Sequence, residues 1–291
     1  MSQSYSYHQV HVDDWHKIVP IFSVTPFSMP SLCLFRGQAN ALDPLKTSLE
    51  RHAERHGCQP DELPERERVI LDHFRLHAHA YLDHPPRHTD RAAWLAILRH
   101  HRGPARLLDF SRSFYVAAFF AMNACDASKP EDPAVWVIRK DAIPQRAHLP
   151  LRDKPGLIRL EIKRQTPRML IQHGELLAPT DITHSFEQNL CAELFGQLTP
   201  LDHSKPQDVN LANLRDLLPT HPIFKIMLPK ALHREALYDL YHMNITPAAL
   251  FPGLDGAAQT EYIHLRYLDD WTRHILGLVN SSRHLHDISS T

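Results

Sequence analysis

The chain has 291 residues, of which 43% are hydrophobic and 22% charged, and a formal net charge of −1. That composition suits one globular domain with a sizeable core and helical elaborations, and it excludes a global field that would steer the whole molecule to nucleic acid or membrane. No apolar run reaches the roughly 20 residues needed to cross a bilayer, and with 9 glycines against 23 prolines there is no glycine-rich phosphate loop.

The polar opening, 1–14, reads as mature chain with no secretory leader. Trp15, Ile18 and Val19 then fall on one helical face, and Pro26 and Pro30 break the segment that follows. Leu32, Cys33, Leu34 and Phe35 form an apolar run that ends in Arg36, Gly37 and Gln38. This pattern predicts a buried strand that delivers Arg36 at its end. A guanidinium there binds a carboxylate or phosphate, or closes a buried structural salt bridge. A short helix is expected over 43–57, a long one over 61–81 with Leu63, Val69, Ile70, Phe74, Leu76 and Tyr81 inward, and another over 89–100. His73 and His77 are four apart on the long helix, but no carboxylate accompanies them in a zinc pattern, so no metal site is assigned.

The stretch from Arg99 to Met122 organises the rest. A basic, His-bearing approach meets a Gly103-Pro104 break, then Leu107 and Leu108, a polar corner at Asp109 and Ser111, and a buried helix from Val116 to Met122. Ser111 and Ser113 stand just before the helix, where their oxygens cap free N–H groups. Such a corner binds anions at a helix N-terminus, or Asp109 and Ser111 simply cap the helix. Strands are expected over 134–138 and 157–162, and a further one over 168–177 that ends in Gln172, His173 and Glu175. Segments 186–198 and 209–218 read as irregular or weakly helical. A strand over 223–228, a helix over 231–242, turns at Pro252 and Gly256, a helix over 261–278 and a polar tail from 281 complete the chain. The expected fold is α+β, a mixed sheet with a helical insertion over about 43–100 and helices at the C-terminal end. Cys33, Cys58, Cys125 and Cys191 form no CxxC pair, which argues against a disulfide framework and fits a reducing cytoplasm.

Four motifs in order carry a resemblance: FRGQ at Phe35, HHRGPARLLDFS with AAFFA from His100, PRMLIQHGEL from Pro167, and NITPAALFPGLDG from Asn244. Together they resemble the FRG domain family of bacteria and phages over about 15–265. Arg99, Arg102, Ala105 and Phe110 stand where that family's pattern has Gln, Gly, Thr and Trp. The layout also resembles the ADP-ribosyltransferase fold, which splits NAD. That likeness implies Arg36 on a first strand for NAD binding, Ser111 as an orienting hydroxyl, and Gln172 or Glu175 stabilising the oxocarbenium-like centre, with Glu161 as another strand carboxylate. It further places Gly37, Gln38, Arg106, Asp109 and His173 around the cofactor, with Arg106 and Asp109 paired or positioning Arg36. The implied activity is NAD-dependent ADP-ribosyl transfer to a protein or nucleic-acid acceptor, in a toxin or antiphage setting with an antitoxin or chaperone partner. The alternative is a non-catalytic module that binds a nucleotide or partner in a degenerate pocket. The arginines from Arg99 to Arg112 motivate nucleic acid as acceptor, or form a solvated basic face.

Overall fold

The computed structural model describes residues 7–22, 32–126, 128–150, 154–163 and 166–262. Nine strands form one mixed sheet among these residues, in the order β5-β6-β7-β3-β2-β4-β9-β1-β8. The strands are β1 (His8–His11), β2 (Cys33–Gln38), β3 (Leu108–Ser111), β4 (Ala134–Arg139), β5 (Gln145–Arg146), β6 (Leu157–Leu160), β7 (Gly174–Pro179), β8 (Gln207–Val209) and β9 (Ile223–Met227). The described helices are α1 (Trp15–Phe22), α2 (Ser48–Arg55), α3 (Leu63–Ala78), α4 (Arg91–His100), α5 (Phe114–Asn123), α6 (Pro167–Ile171), α7 (Phe186–Phe195), α8 (Leu214–Leu217), α9 (His233–His242), α10 (Pro247–Leu250) and α11 (Leu254–Thr260). The mixed α+β class and the helical stretch between β2 and β3 agree with the expectation.

Strand alternation distributes the core to two faces of the sheet. On β6 and β7, Ile158, Leu160, Leu176 and Ala178 pack with Leu71 of α3 and Trp94 and Leu95 of α4. Leu157 and Leu177 turn the other way, into a cluster with Phe186 and Leu190 of α7, Leu34, Phe110 and Trp136. Helix α5 lies on β2, and Gly37 makes that possible: a Cβ there would overlap the carbonyl oxygen of Ala117 and stand 2.6 Å from the Ala121 nitrogen. The compact units are Met1–Leu237, which holds the whole sheet, and Tyr238–Thr291. In the second unit α11 runs through Gly256, where a Cβ would stand 2.7 Å from the Pro247 carbonyl oxygen. Gly256 is therefore a close-packing glycine and not the expected turn.

Several expectations need correction. The segment 168–177 is not one strand: Pro167–Ile171 is a helical turn capped by Thr166, whose hydroxyl accepts from Met169 N, with Pro167 at its first turn. The strand begins only at Gly174, after His173 takes a left-handed φ of 49°. On α3 the inward residues are Leu63, Glu67, Leu71 and Ala78, whereas Leu76 and Tyr81 are exposed. Segment 186–198 is a well-capped helix, with Ser185 and Gln188 forming a capping box. Ser113, and not Asp109 or Ser111, caps α5, because β3 carries Asp109 and Ser111 as strand residues. The helix expected over 261–278, apart from Glu261 and Tyr262, and the tail from 281 lie outside the described residues.

Candidate functional site

The site starts from a gap in the sheet. β2 and β3 pair through a single residue pair, Phe35 with Ser111. By antiparallel register Gly37 would face Asp109, but there the strands have parted. Arg36 bridges the fork: its Nη1 donates to the carbonyl oxygen of Asp109 at 2.7 Å. A cleft of about 360 Å³ opens at this fork, within the size range of small-molecule sites. Arg36, Asp109, Ser111, Gln172 and Glu175 all line it, so segments remote in sequence converge here.

The cleft is cationic. Arg36, Arg99, Arg102 and Arg168 line it against the carboxylates of Asp109 and Glu175. Burial lowers the Arg36 guanidinium to about 10; Asp109 opposes that shift, while Arg99 and Arg51 add to it. It stays charged at neutral pH, and its enclosed Nε has no hydrogen-bond partner. Asp109 gives its carboxylate to Arg99 instead, accepting from Nε at 2.7 Å and Nη2 at 2.6 Å. Burial also lowers Arg168 and His100, and Arg102 and Arg99 push Arg168 further down.

The hydroxyl of Ser111 is fully used. It donates to the carbonyl oxygen of Gln172 at 2.8 Å and accepts from Ser113 N at 3.0 Å. It thereby ties the β3–α5 corner to the α6–β7 corner. The Glu175 carboxylate meets Lys140 at 3.1 Å, Arg159 at 3.7 Å and Arg112 at 4.0 Å. It is a neutralised carboxylate on the cleft wall.

Other expected residues fall elsewhere. Arg106 does not pair with Asp109, because a spacing of three sends the two to opposite sides of an extended chain. It is 2% exposed and donates to Glu67 from Nε at 2.7 Å and Nη2 at 2.6 Å, with Arg91 on the same carboxylate. It is a core residue and no ligand group. Gln38 accepts from Trp136 Nε1 at 2.6 Å and donates to the Pro44 carbonyl at 3.3 Å, outside the cleft lining. His173 is an exposed turn residue outside that lining, its carbonyl accepting from Arg112 N. Glu161 is exposed just past the end of β6 and does not line the cleft. Gly37 borders the cleft, but its role is the close approach of α5. Arg168 was missed as a site residue. The Thr166-Pro167 pair, a helix-start pattern, was the available signal that Arg168 sits on a capped turn facing the fork.

Residues 31–130 match the FRG domain family. The matched segment spans β2, the α2–α4 insertion, β3 and α5, and so holds Arg36, Arg99, Asp109 and Ser111, while Arg168, Gln172 and Glu175 come from beyond it. No curated protein and no solved structure matches the chain. Among the described residues, no helix is long and apolar enough to cross a membrane, and no group of three or more His, Cys, Asp or Glu is placed to hold a metal ion.

Proposed function

We propose that the cleft binds NAD and that the protein transfers ADP-ribose from it to an acceptor. The observation that carries this reading is the convergence on one cleft of Arg36, Ser111, Gln172 and Glu175, with four guanidiniums lining it. A half-buried guanidinium on the cleft wall fits a phosphate oxygen of the dinucleotide. In the reaction, the bond between nicotinamide and ribose C1′ breaks and nicotinamide leaves with the bonding pair as a neutral base. The acceptor atom bonds C1′ and its proton passes to water. In this reading Gln172 and Glu175, both on the cleft wall, stabilise the positive charge that develops on the ribose, and Ser111 holds the Gln172 backbone through its carbonyl.

A second reading is a nucleotide-binding module without turnover. It is favoured by the three cations around Glu175, which leave that carboxylate little negative field for an oxocarbenium ion. One experiment separates the two. The protein is incubated with NAD, and thermal stability and nicotinamide release are both followed in wild type and Arg36→Ala. A shift and release that both vanish in the variant support transfer. A shift without release supports the binding module, and no shift in wild type removes both.

A further inference from the structure

The end of α4 breaks a rule of helix termination, and it does so at the mouth of the cleft. The helix closes in a Schellman motif: Gly103 N donates to the Leu98 carbonyl at 2.8 Å and Arg102 N to the Arg99 carbonyl at 3.0 Å. This geometry demands a left-handed residue at Arg102, the place glycine ordinarily takes. Arg102 holds φ at 64° there, while the glycine at the next position answers to close packing, since a Cβ on Gly103 would stand 2.7 Å from Leu98 Cγ. A strained side chain of this kind is retained where the side chain itself is used. Arg102 is exposed, and it lines the cleft with Arg99 and Arg168. The three are close enough that Arg99 and Arg102 both depress Arg168. Asp109, bonded to Arg99, is the carboxylate that faces them.

We infer that this arginine rim is the docking site for the phosphates of a single-stranded nucleic acid, the acceptor of the transferred group; the assignment of the strand as acceptor rests on the transferase reading above. The rim selects by charge. A lysine or arginine side chain of a protein acceptor meets a cationic mouth whose carboxylates already carry partners. A strand brings its own negative charge, and each phosphate displaces bound counterions from the polymer. Phe120 and Met169 line the interior with partly exposed apolar surface against which a base can lie. A base stacked within a duplex does not reach into a cleft of this size, so the strand must be single or locally open. The nucleophile is a base nitrogen or sugar oxygen, which bonds C1′ of the ribose as nicotinamide departs, its proton going to water.

The test is fluorescence anisotropy with a labelled single-stranded DNA, the same sequence as RNA, and the duplex, over a salt series without NAD. Wild type binds one of the single strands at low salt and the duplex more weakly. Arg102→Gly, which removes the guanidinium and suits the left-handed backbone, folds and weakens the strand severalfold. It also lowers the log–log salt dependence by about 0.7, the loss of one phosphate contact. Arg215→Gln takes the same charge from exposed α8 and leaves strand binding as in wild type. Absence of strand binding, equal binding by Arg102→Gly, or tighter binding of the duplex each overturns the inference. So does full displacement of the strand by an equal concentration of inorganic pyrophosphate, which marks the rim as a small-anion site. Strand binding that depends on Arg102 in a protein that never binds NAD keeps the rim as a nucleic-acid site and refutes the transferase reading alone.

Discussion

Replacing Arg106 by methionine separates a fold residue from a site residue within one motif. Arg106 lies three residues before Asp109 in the stretch that resembles a ligand-binding signature, yet its side chain is 3% exposed and bonded to a Glu67 side chain that is 0% exposed. Arg106→Met leaves Glu67 buried with Arg91 as its other bonded cation. Removing one partner of a buried ion pair costs about 3–5 kcal/mol, a large part of the total stability of about 5–15 kcal/mol of an ordinary domain. For a folding unit of this size that lowers the thermal midpoint by about 6–20 °C. Restoring an apolar neighbour should recover part of it: Glu67→Leu combined with Arg106→Met is more stable than Arg106→Met alone, short of wild type because Arg91, 18% exposed, then loses its carboxylate. Urea denaturation of the two single variants and the double variant gives the coupling. Ligand titration at a temperature where each variant is folded gives the affinity. The folded Arg106→Met protein is expected to bind like wild type. A cost below about 1 kcal/mol together with lost ligand binding refutes the assignment and returns Arg106 to the cleft.

Two further outcomes follow from the core. Lys225 is 2% exposed, its ammonium against the rings of Tyr7 and Trp136, and burial pushes that ammonium down from 10.5 to about 8, with Glu187 and Asp43 opposing. The unfolded chain holds that proton between pH 8 and 10.5 and the folded one does not, so the Lys225 contribution to stability rises with pH across this window. Lys225→Met is expected to be more stable than wild type at pH 7 and to lose the difference by pH 10, as read by denaturation at fixed temperature. Gly37→Ala drives a methyl into the α5 backbone at Ala117 and Ala121, and overpacking of this kind costs about 3 kcal/mol. A thermal midpoint equal to that of wild type would show that α5 can slide on β2.

The elements visible from sequence are those whose pattern and environment agree. β2 reads directly because four apolar residues precede Arg36, and α5 because an apolar run of helix formers follows a serine cap. β1 is invisible locally: His8, Gln9, Val10 and His11 hold one aliphatic residue, and the strand exists because β8 and β9 pair with it from about 200 residues away. The face of α3 is misread because its centre is a charge. Glu67 is buried, and its partners Arg91 and Arg106 lie 24 and 39 residues on, so apolar periodicity points to Val69 and Leu76 instead. Segment 168–171 carries three apolar residues in a row, which suits a strand or a helical turn equally. Only the Thr166 cap and Pro167 decide it. The cleft shows the same division. That Arg36, Ser111, Gln172 and Glu175 line one cleft is what the fold-level resemblance implies, and local pattern alone does not bring them together. That Glu175 is neutralised was not legible, because Lys140 and Arg159 reach it from β4–β5 and β6.

Two arginines of the segment that matches the FRG family give the physical criterion for where function lies. Arg106 is buried and Arg36 half-buried with an enclosed Nε, and the hydration each loses has to be offset. For Arg106 the offset is complete: a fully buried carboxylate accepts from two of its nitrogens, and the Pro179 carbonyl is 3.4 Å from a third. For Arg36 it is partial: one carbonyl oxygen accepts from Nη1, and Nε has no partner. The carboxylate that could have served it, on Asp109, is bonded to Arg99. Evolution for stability alone removes such a charge or gives it a carboxylate, since an apolar side chain in that place costs nothing in desolvation. A cation held inside a cleft with donors unspent is stable only at a standing cost, and an anionic ligand repays that cost on binding. The fork between β2 and β3 has the same logic: paired strands at Gly37 and Asp109 would add ladder bonds to the sheet, and the chain forgoes them to keep the opening that Arg36 faces.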